Sequence, residues 1–330
     1  MTEGADFVRD TEPFRRALLA HCYRMLGSVH DAEDLVQETY LRAWRSYAGF
    51  EGRASVRTWL YRIATNACLN ALEHSGRRVL PSGLGGPADD PGSAPQEADP
   101  GVCWLEPIPD ALLFPASAGH VADPAVVVAE RAGLRLALIA SLQYLPGPQR
   151  AVLILRDVLA FPAADVAEIL GTTTAAVKSS LQRARGRLRD LAPTADAVTE
   201  PSEPEFRALV DQYAAAFERG DAAALKKLLS EDATLEATPL RTWFVGSATC
   251  VPFLRAFVLG GPGDWRMLPT ATNGDPALAA YRRSGEVYQA YGIVTFSASP
   301  TGITRVISFG DPGLLPLFGF PATTGPIEMD

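Results

Sequence analysis

Two arginine-bearing stretches and one scatter of carboxylates hold the side chains best suited to chemistry. Arg57, Arg62, Asn66 and Asn70 recur at helical spacing through VRTWLYRIATNACLNAL, directly after the loop-like YAGFEGRAS at 47–55. Guanidinium and carboxamide groups on one helix can hold phosphates, while two glycines and an aromatic leave room for an unstacked base. A second set, Lys178, Ser179, Arg183 and Arg185, follows Gly171 and a run of threonines. That order fits a helix-turn-helix, in which early residues of the second helix reach base edges and later arginines anchor on phosphates. The third set, Asp211, Asp232, Asp264 and Asp275, supplies a general base only if an apolar pocket tunes one of them. Their places beside turns and helix ends read as surface carboxylates, and no histidine stands beyond His120 to join them.

Metal and redox chemistry are not expected, nor is a cofactor. Cys22, Cys68, Cys103 and Cys250 are too dispersed for a thiolate site, and His21, His30, His74 and His120 form no ligand pair at helical spacing. Reduced, mostly buried thiols are the expectation, with His21 and His30 at the surface or at helix ends. The acidic start MTEGADFVRD is unlike a signal peptide, and no apolar run nears the roughly 20 residues of a bilayer span. The reading is a cytoplasmic, globular chain with no membrane partner.

With 330 residues and 47% hydrophobic content there is room for two or three domains with real cores. The net charge of −8 is unevenly spread: residues 1–80 carry +1, 81–141 carry −6, 142–192 carry +3 and 193–330 carry −6. Basic character is confined to the two helical stretches. Local patches, not the average, decide binding to a polyanion.

Periodicity defines the elements that must position these groups. Residues 12–27 place Phe14, Leu18, Cys22, Met25 and Leu26 on one helical face and end at Gly27. A new helix begins near Asp31, with Asp31, Glu33 and Asp34 favoured by the positive end of its dipole. Its inward stripe is Ala32, Leu35 or Val36, Thr39, Ala43 and Trp44. The outer face, Asp34, Gln37, Glu38, Leu41 and Arg42, is either merely solvated or a grip on a basic protein surface. From Val56 onward Leu60, Ile63, Ala64, Ala67 and Leu72 point inward, while Trp59 and Tyr61 fit either the core, favoured for Trp59, or an outer face. Glycine, proline, alanine and aspartate then dominate 76–101, a flexible-linker composition. Within the wider break in helical pattern at 76–130, WLEPIPD, 104–110, is too apolar for a pure spacer; it docks on a partner or on this protein, or packs against the preceding helices. Helical periodicity resumes from Asp123, and Val177, Leu181, Ala184 and Leu188 form the buried stripe of the second arginine-bearing helix.

A different grammar follows residue 191. Phe206, Leu209, Val210, Tyr213 and Phe217 share one helical face, and strand-like runs recur near 233–237, 242–245, 265–270, 277–281, 287–296 and 303–308, with a short helix at 247–257. Helices followed by antiparallel strands indicate an α+β domain. Trp243, Phe253, Trp265, Tyr281 and Tyr291 either line a ligand cavity or fill the core.

DAEDLVQETYLRAW, the aromatic loop and TWLYRIATNACLNAL together resemble region 2 of the sigma-70 family in its small extracytoplasmic-function (ECF) class, and LGTTTAAVKSSLQRARGRL resembles region 4. The resemblance implies that Asp34, Gln37, Glu38 and Leu41 contact core RNA polymerase, whose largest-subunit clamp helices and flap are the docking points. It implies that Phe50, Arg53 and Ser55 form a base-reading loop, with Arg62, Asn66 and Asn70 facing the melted minus-ten strand. Thr174, Ala175, Lys178 and Ser179 would face minus-thirty-five bases, with Arg183 and Arg185 on the DNA backbone. WLEPIPD, TWFVGSATCVPFLRAF and PTATNGDPALAAY extend the likeness to SigG-type ECF factors with a fused SnoaL-like domain, a cone related to ketosteroid isomerase and nuclear transport factor folds. Departures at Thr238, Thr242 and Ala271 leave pocket specificity open.

The expectation is a multidomain chain. Two all-α sigma domains, a region 2 helical bundle at 1–80 and a region 4 helix-turn-helix at 131–192, flank an acidic linker at 81–130. A second linker at 193–203 leads to an α+β SnoaL-like cone at 204–330. Such a chain is a promoter-specificity subunit and not an enzyme, with promoter DNA and core RNA polymerase as partners. Its cone would modulate activity and offers a candidate small-molecule site. The alternatives are an isomerase- or cyclase-type enzyme in the cone, or a simple helix-turn-helix repressor.

Overall fold

A computed structural model describes residues 2–50, 52, 54–114, 133–191 and 203–325. The chain divides into two compact units, Met1–Arg78 with Leu112–Pro193 and Val79–Ala111 with Thr194–Asp330. Among the described residues, no helix is long and apolar enough to cross a membrane.

The first unit is helical. It begins with α1 (Thr2–Thr11), α2 (Arg15–Leu26), α3 (Val29–Ser46) and α4 (Val56–His74). Gly27 ends α2 at φ 72, a left-handed conformation that costs glycine little. Ser28 then caps α3, its hydroxyl accepting from the Asp31 amide at 3.1 Å, so the helix starts two residues earlier than expected. Ala32, Val36, Thr39 and Ala43 form the buried stripe of α3. Trp44, expected in that stripe, is 49% exposed, with α1 laid over part of its ring through Phe7 and Gly4. His21 departs from expectation in the opposite sense. Every residue of α2 from Leu18 to Leu26 is buried, since α3 and α4 both pack on it. The His21 ring is therefore enclosed, with Nε2 2.9 Å from the Thr65 hydroxyl.

After α5 (Asp110–Leu113) and a stretch outside the described residues come α6 (Leu136–Leu142), α7 (Gly147–Leu153), α8 (Ala163–Ile169) and α9 (Thr174–Leu191). The first part of the helical periodicity expected from Asp123 falls in that undescribed stretch. Gly171, at φ 59, makes the turn between α8 and α9, and the Thr173 hydroxyl accepts from the Ala176 amide at 3.2 Å. Val177 and Ala184 are buried beneath α9, while Leu181 and Leu188 are half-buried. Arg150 on α7 is a buried hub that the sequence reading did not single out. It donates to the Gln143 side-chain oxygen at 2.7 Å, to the Gln143 and Leu145 carbonyls at 3.1 Å, and to the Met25 carbonyl on α2.

In the second unit, α10 (Glu203–Glu218), α11 (Ala222–Leu228) and α12 (Ser247–Phe253) pack with β1 (Leu229–Thr238), β2 (Trp243–Val245), β3 (Trp265–Thr272), β4 (Asp275–Ser284), β5 (Val287–Ser299), β6 (Gly302–Phe309) and β7 (Thr323–Thr324). The sheet runs β2-β1-β6-β5-β4-β3 with β7 on β5, and only β1 and β6 pair in parallel. Its core sets Phe206, Val210, Tyr213 and Phe217 of α10 among Met267, Leu278, Ala280, Val294, Phe296 and Val306. This is the expected α+β cone.

The acidic stretch read as a flexible linker is, over 79–111, a strap laid along the cone. Ala88 donates to the Trp243 carbonyl at 2.8 Å, Gln96 to the Thr242 hydroxyl at 2.8 Å, and Ala98 to the Pro239 carbonyl at 3.1 Å. WLEPIPD is seated on the same domain. Leu105 and Ile108 are fully buried, the Ile108 amide donates to Asn273 Oδ1 at 3.2 Å, and its carbonyl accepts from the Thr272 hydroxyl at 2.7 Å and the Asn273 amide at 3.1 Å. Composition could not separate strap from spacer. Prolines remove amide donors and pre-set an extended backbone whether or not a sheet edge lies beside them.

Candidate nucleic-acid interface

Helix α4 presents Arg62, Asn66 and Asn70 as one exposed row at i, i+4 and i+8. In front of it Phe50 is half-buried, its ring 4.8 Å from the ring of Trp59, which is itself buried. Ser55 caps α4, its hydroxyl accepting from the Thr58 amide at 3.0 Å, so it orders the helix that carries the row. Arg53 lies outside the described residues.

On α9 the side chains of Thr174, Ala175, Lys178, Ser179 and Arg183 are exposed. Arg185 is exposed too, and it forms a two-pronged pair with Asp157 at 2.8 and 2.7 Å. A helix with small early residues and a cation beyond them can enter a groove, leaving phosphates to Lys178 and Arg183. Arg185 must exchange Asp157 for a phosphate to join them.

The acidic face of α3 exposes Asp34 and Gln37, half-exposes Glu38, and shows Leu41 at 52%. Glu38 accepts from Arg42 at 2.7 Å. The exposed Trp44 adjoins this face, and sequence periodicity missed it because it lies one position from Ala43 at the edge of the buried stripe.

The structure also joins two sites that are far apart in sequence. Arg57 on α4 donates to the Leu159 carbonyl at 2.9 Å and lies 4.1 Å above the Phe161 ring, which in turn packs edge-on against Tyr61 at 5.1 Å. Arg62 is 4.0 Å from Glu168 on α8. A methyl group at Gly147 would come within 3.2 Å of Leu69, a close approach that brings α7 onto α4. The DNA-type row of α4 is thus flanked by the supporting helix of the helix-turn-helix.

Inside the cone lies a cavity of about 190 Å³. Phe253, Trp265 and Tyr291 line it, while Trp243 and Tyr281 do not. Trp243 instead donates to the Gly85 carbonyl of the strap at 2.9 Å, and the Tyr281 hydroxyl donates to the Pro321 carbonyl at 2.8 Å. None of Asp211, Asp232, Asp264 and Asp275 reaches the cavity wall. Among the described residues, no group of three His, Cys, Asp or Glu side chains is placed to hold a metal ion.

The Sigma-70 region 2 family matches residues 11–78, and the Sigma-70, region 4 family matches residues 135–188. The chain is 46% identical to the ECF RNA polymerase sigma factor SigG of Mycobacterium tuberculosis (strain ATCC 25618 / H37Rv) over 318 residues, covering 96% of this chain and 84% of that one. It is 29% identical to the ECF RNA polymerase sigma factor SigJ of the same strain over 227 residues, covering 69% of this chain and 63% of that one. The crystal structure of M. tuberculosis SigJ superposes with a TM-score of 0.60 at 26% identity, covering 96% of this chain and 99% of that one.

Proposed function

The chain belongs to the extracytoplasmic-function sigma factors of the sigma-70 family, and on that premise we propose how its surfaces divide the work of initiation. A factor of this class binds core RNA polymerase, recognises minus-ten and minus-thirty-five promoter elements and starts transcription. Here α3 docks on polymerase through Asp34, Gln37, Glu38 and Leu41, with Trp44 added. The clamp helices of the largest subunit are its target, and the flap is a second contact. The observation that carries this assignment is the exposure of Leu41 and Trp44, at 52% and 49%, beside acidic and amide groups. Large apolar groups ringed by charge mark a protein-docking surface.

The loop at Phe50, Arg53 and Ser55 and the row Arg62, Asn66 and Asn70 take the melted minus-ten strand. Thr174, Ala175, Lys178 and Ser179 take minus-thirty-five bases, with Arg183 and Arg185 on phosphates. In vitro transcription with purified core polymerase tests the whole assignment. Glu38→Lys should leave the fold intact and abolish both polymerase association and transcripts; a variant that transcribes normally would remove α3 from the polymerase interface. A simple repressor would bind duplex DNA equally well with either residue.

The cone is assigned a regulatory role, acting on reach. Promoter elements about 25 base pairs apart stand about 85 Å apart at about 3.4 Å per pair. Residues 79–111, drawn out at about 3.3 Å per residue, would add roughly 110 Å of reach once released from the sheet. While the cone holds the strap and Phe161 holds Arg57, the two DNA-reading helices stay within one unit. Release of both contacts precedes promoter engagement. The relatives described above are sigma factors, and Asp211, Asp232, Asp264 and Asp275 lie off the cavity, which supports a regulatory cone over an isomerase or cyclase.

A further inference from the structure

We infer that the cone cavity is a binding site for a small apolar carboxylate, and that the strap senses its occupancy through Pro95. The cavity measures about 190 Å³. An apolar cavity of about 150 Å³ holds benzene, so this one takes a single substituted ring or a short acyl chain. Phe217, Phe253, Trp265, Met267 and Val294 give it an apolar interior.

Polar groups are few: Arg282, Tyr291, Ser308 and the buried Tyr213 line the cavity, and no carboxylate or imidazole does. Arg282 is exposed, so it stands at the mouth, its guanidinium 5.7 Å from the centre of the Trp265 ring. The nearby Asp264 carboxylate accepts from the Gly261 amide at 2.7 Å and from Arg283 at 2.9 Å and also feels the Arg282 charge, so its hydrogen bonds leave the Arg282 donors to a ligand while its charge tempers the site. A ligand with an apolar body and an acidic end places its body among the aromatics and its charge on Arg282, with the Tyr291 and Ser308 hydroxyls as donors. The wall offers no general base, so the ligand is held and not transformed.

Pro95 makes this a reporter as well as a container. It comes from the strap yet forms part of the cavity wall. The next residue pins it there: the Gln96 amide donates to the Thr242 hydroxyl at 2.8 Å, and the Gln96 carbonyl accepts from the Arg241 amide at 2.9 Å. A ligand packed against Pro95 therefore tightens the strap on the cone. The regulatory consequence rests on the reading of the cone given above, but the test needs neither polymerase nor DNA, so failure here leaves the initiation reading standing.

The probes are 4-propylbenzoate and its uncharged amide, titrated by calorimetry into the full chain. The carboxylate should bind at one saturable site roughly tenfold or more tightly than the amide, since a hydrogen bond to a charged group separates them. Arg282→Gln, a surface change that spares the core, should equalise the two probes. Ala237→Phe, which fills the cavity, should abolish both. Amide exchange across residues 86–98 should slow when the carboxylate is added. Absence of saturable binding, equal affinity for acid and amide, an Arg282→Gln variant that keeps the preference, or unchanged exchange across the strap would each overturn the proposal.

Discussion

Arg305 donates through Nε to a Glu236 oxygen at 2.9 Å, and that carboxylate, 1% exposed, accepts the Ser82 amide of the strap at 2.9 Å on its other oxygen. The pair is a buried clip: the carboxylate is tolerable in the sheet only because a cation and an amide both face it. Removing the cation strands the charge. Arg305→Ala should cost about 3–5 kcal/mol by urea denaturation and expose the strap near Ser82 to protease. A loss near zero, with protease resistance unchanged, would show that solvent already reaches Glu236.

Two of the contacts that hold the helix-turn-helix against α4 differ greatly in worth. Phe161 is 1% exposed, wedged between Arg57 and Tyr61. The Arg62–Glu168 pair is 4.0 Å long with both side chains about half exposed. Phe161→Ala should therefore destabilise the chain by about 3–5 kcal/mol, while Glu168→Ala should change stability by less than about 1 kcal/mol. The same denaturation series measures both, and equal losses would mean that the ion pair is more sheltered than it looks.

Lys178 and Thr174 should separate on DNA. Lys178→Ala removes one phosphate contact, so binding should weaken about equally on cognate and altered minus-thirty-five sequences, and the slope of log affinity against log salt should shrink by about 1. Thr174→Ala should instead blunt discrimination between the two sequences at unchanged salt slope. Fluorescence anisotropy across a salt series reads both quantities.

Acid should loosen the first unit through His21. Burial, with the Arg24 charge adding to it, holds this imidazole down to about 3 from 6.5. The unfolded chain therefore binds a proton that the folded chain refuses, and stability falls as pH drops below about 6.5. Down to about pH 5 the loss attributable to His21 approaches about 2 kcal/mol, and it continues toward the folded pKa. Above about pH 7 it contributes no pH dependence. Denaturation of the wild-type chain and His21→Gln at several pH values should show a shallower acid loss in the variant; parallel curves would place the effect on another group.

What the sequence determined by itself was local. Helix faces, the glycine turns at Gly27 and Gly171, the exposed row Arg62, Asn66 and Asn70, and the strand runs of the cone follow from periodicity and turn chemistry, which act over a few residues. Motif resemblance added the family. Tertiary structure decided what distant segments do to one another. It buried His21 of α2 against α4, left Trp44 in solvent, laid a linker-like stretch onto the cone, and set Glu236 opposite Arg305 although 69 positions separate them. It also kept Phe253, Trp265 and Tyr291 in the cavity while sending Trp243 to the strap and Tyr281 to Pro321. Long-range pairing of this kind has no periodic signature, because loop closure brings the partners together at a cost that depends only weakly on the length between them.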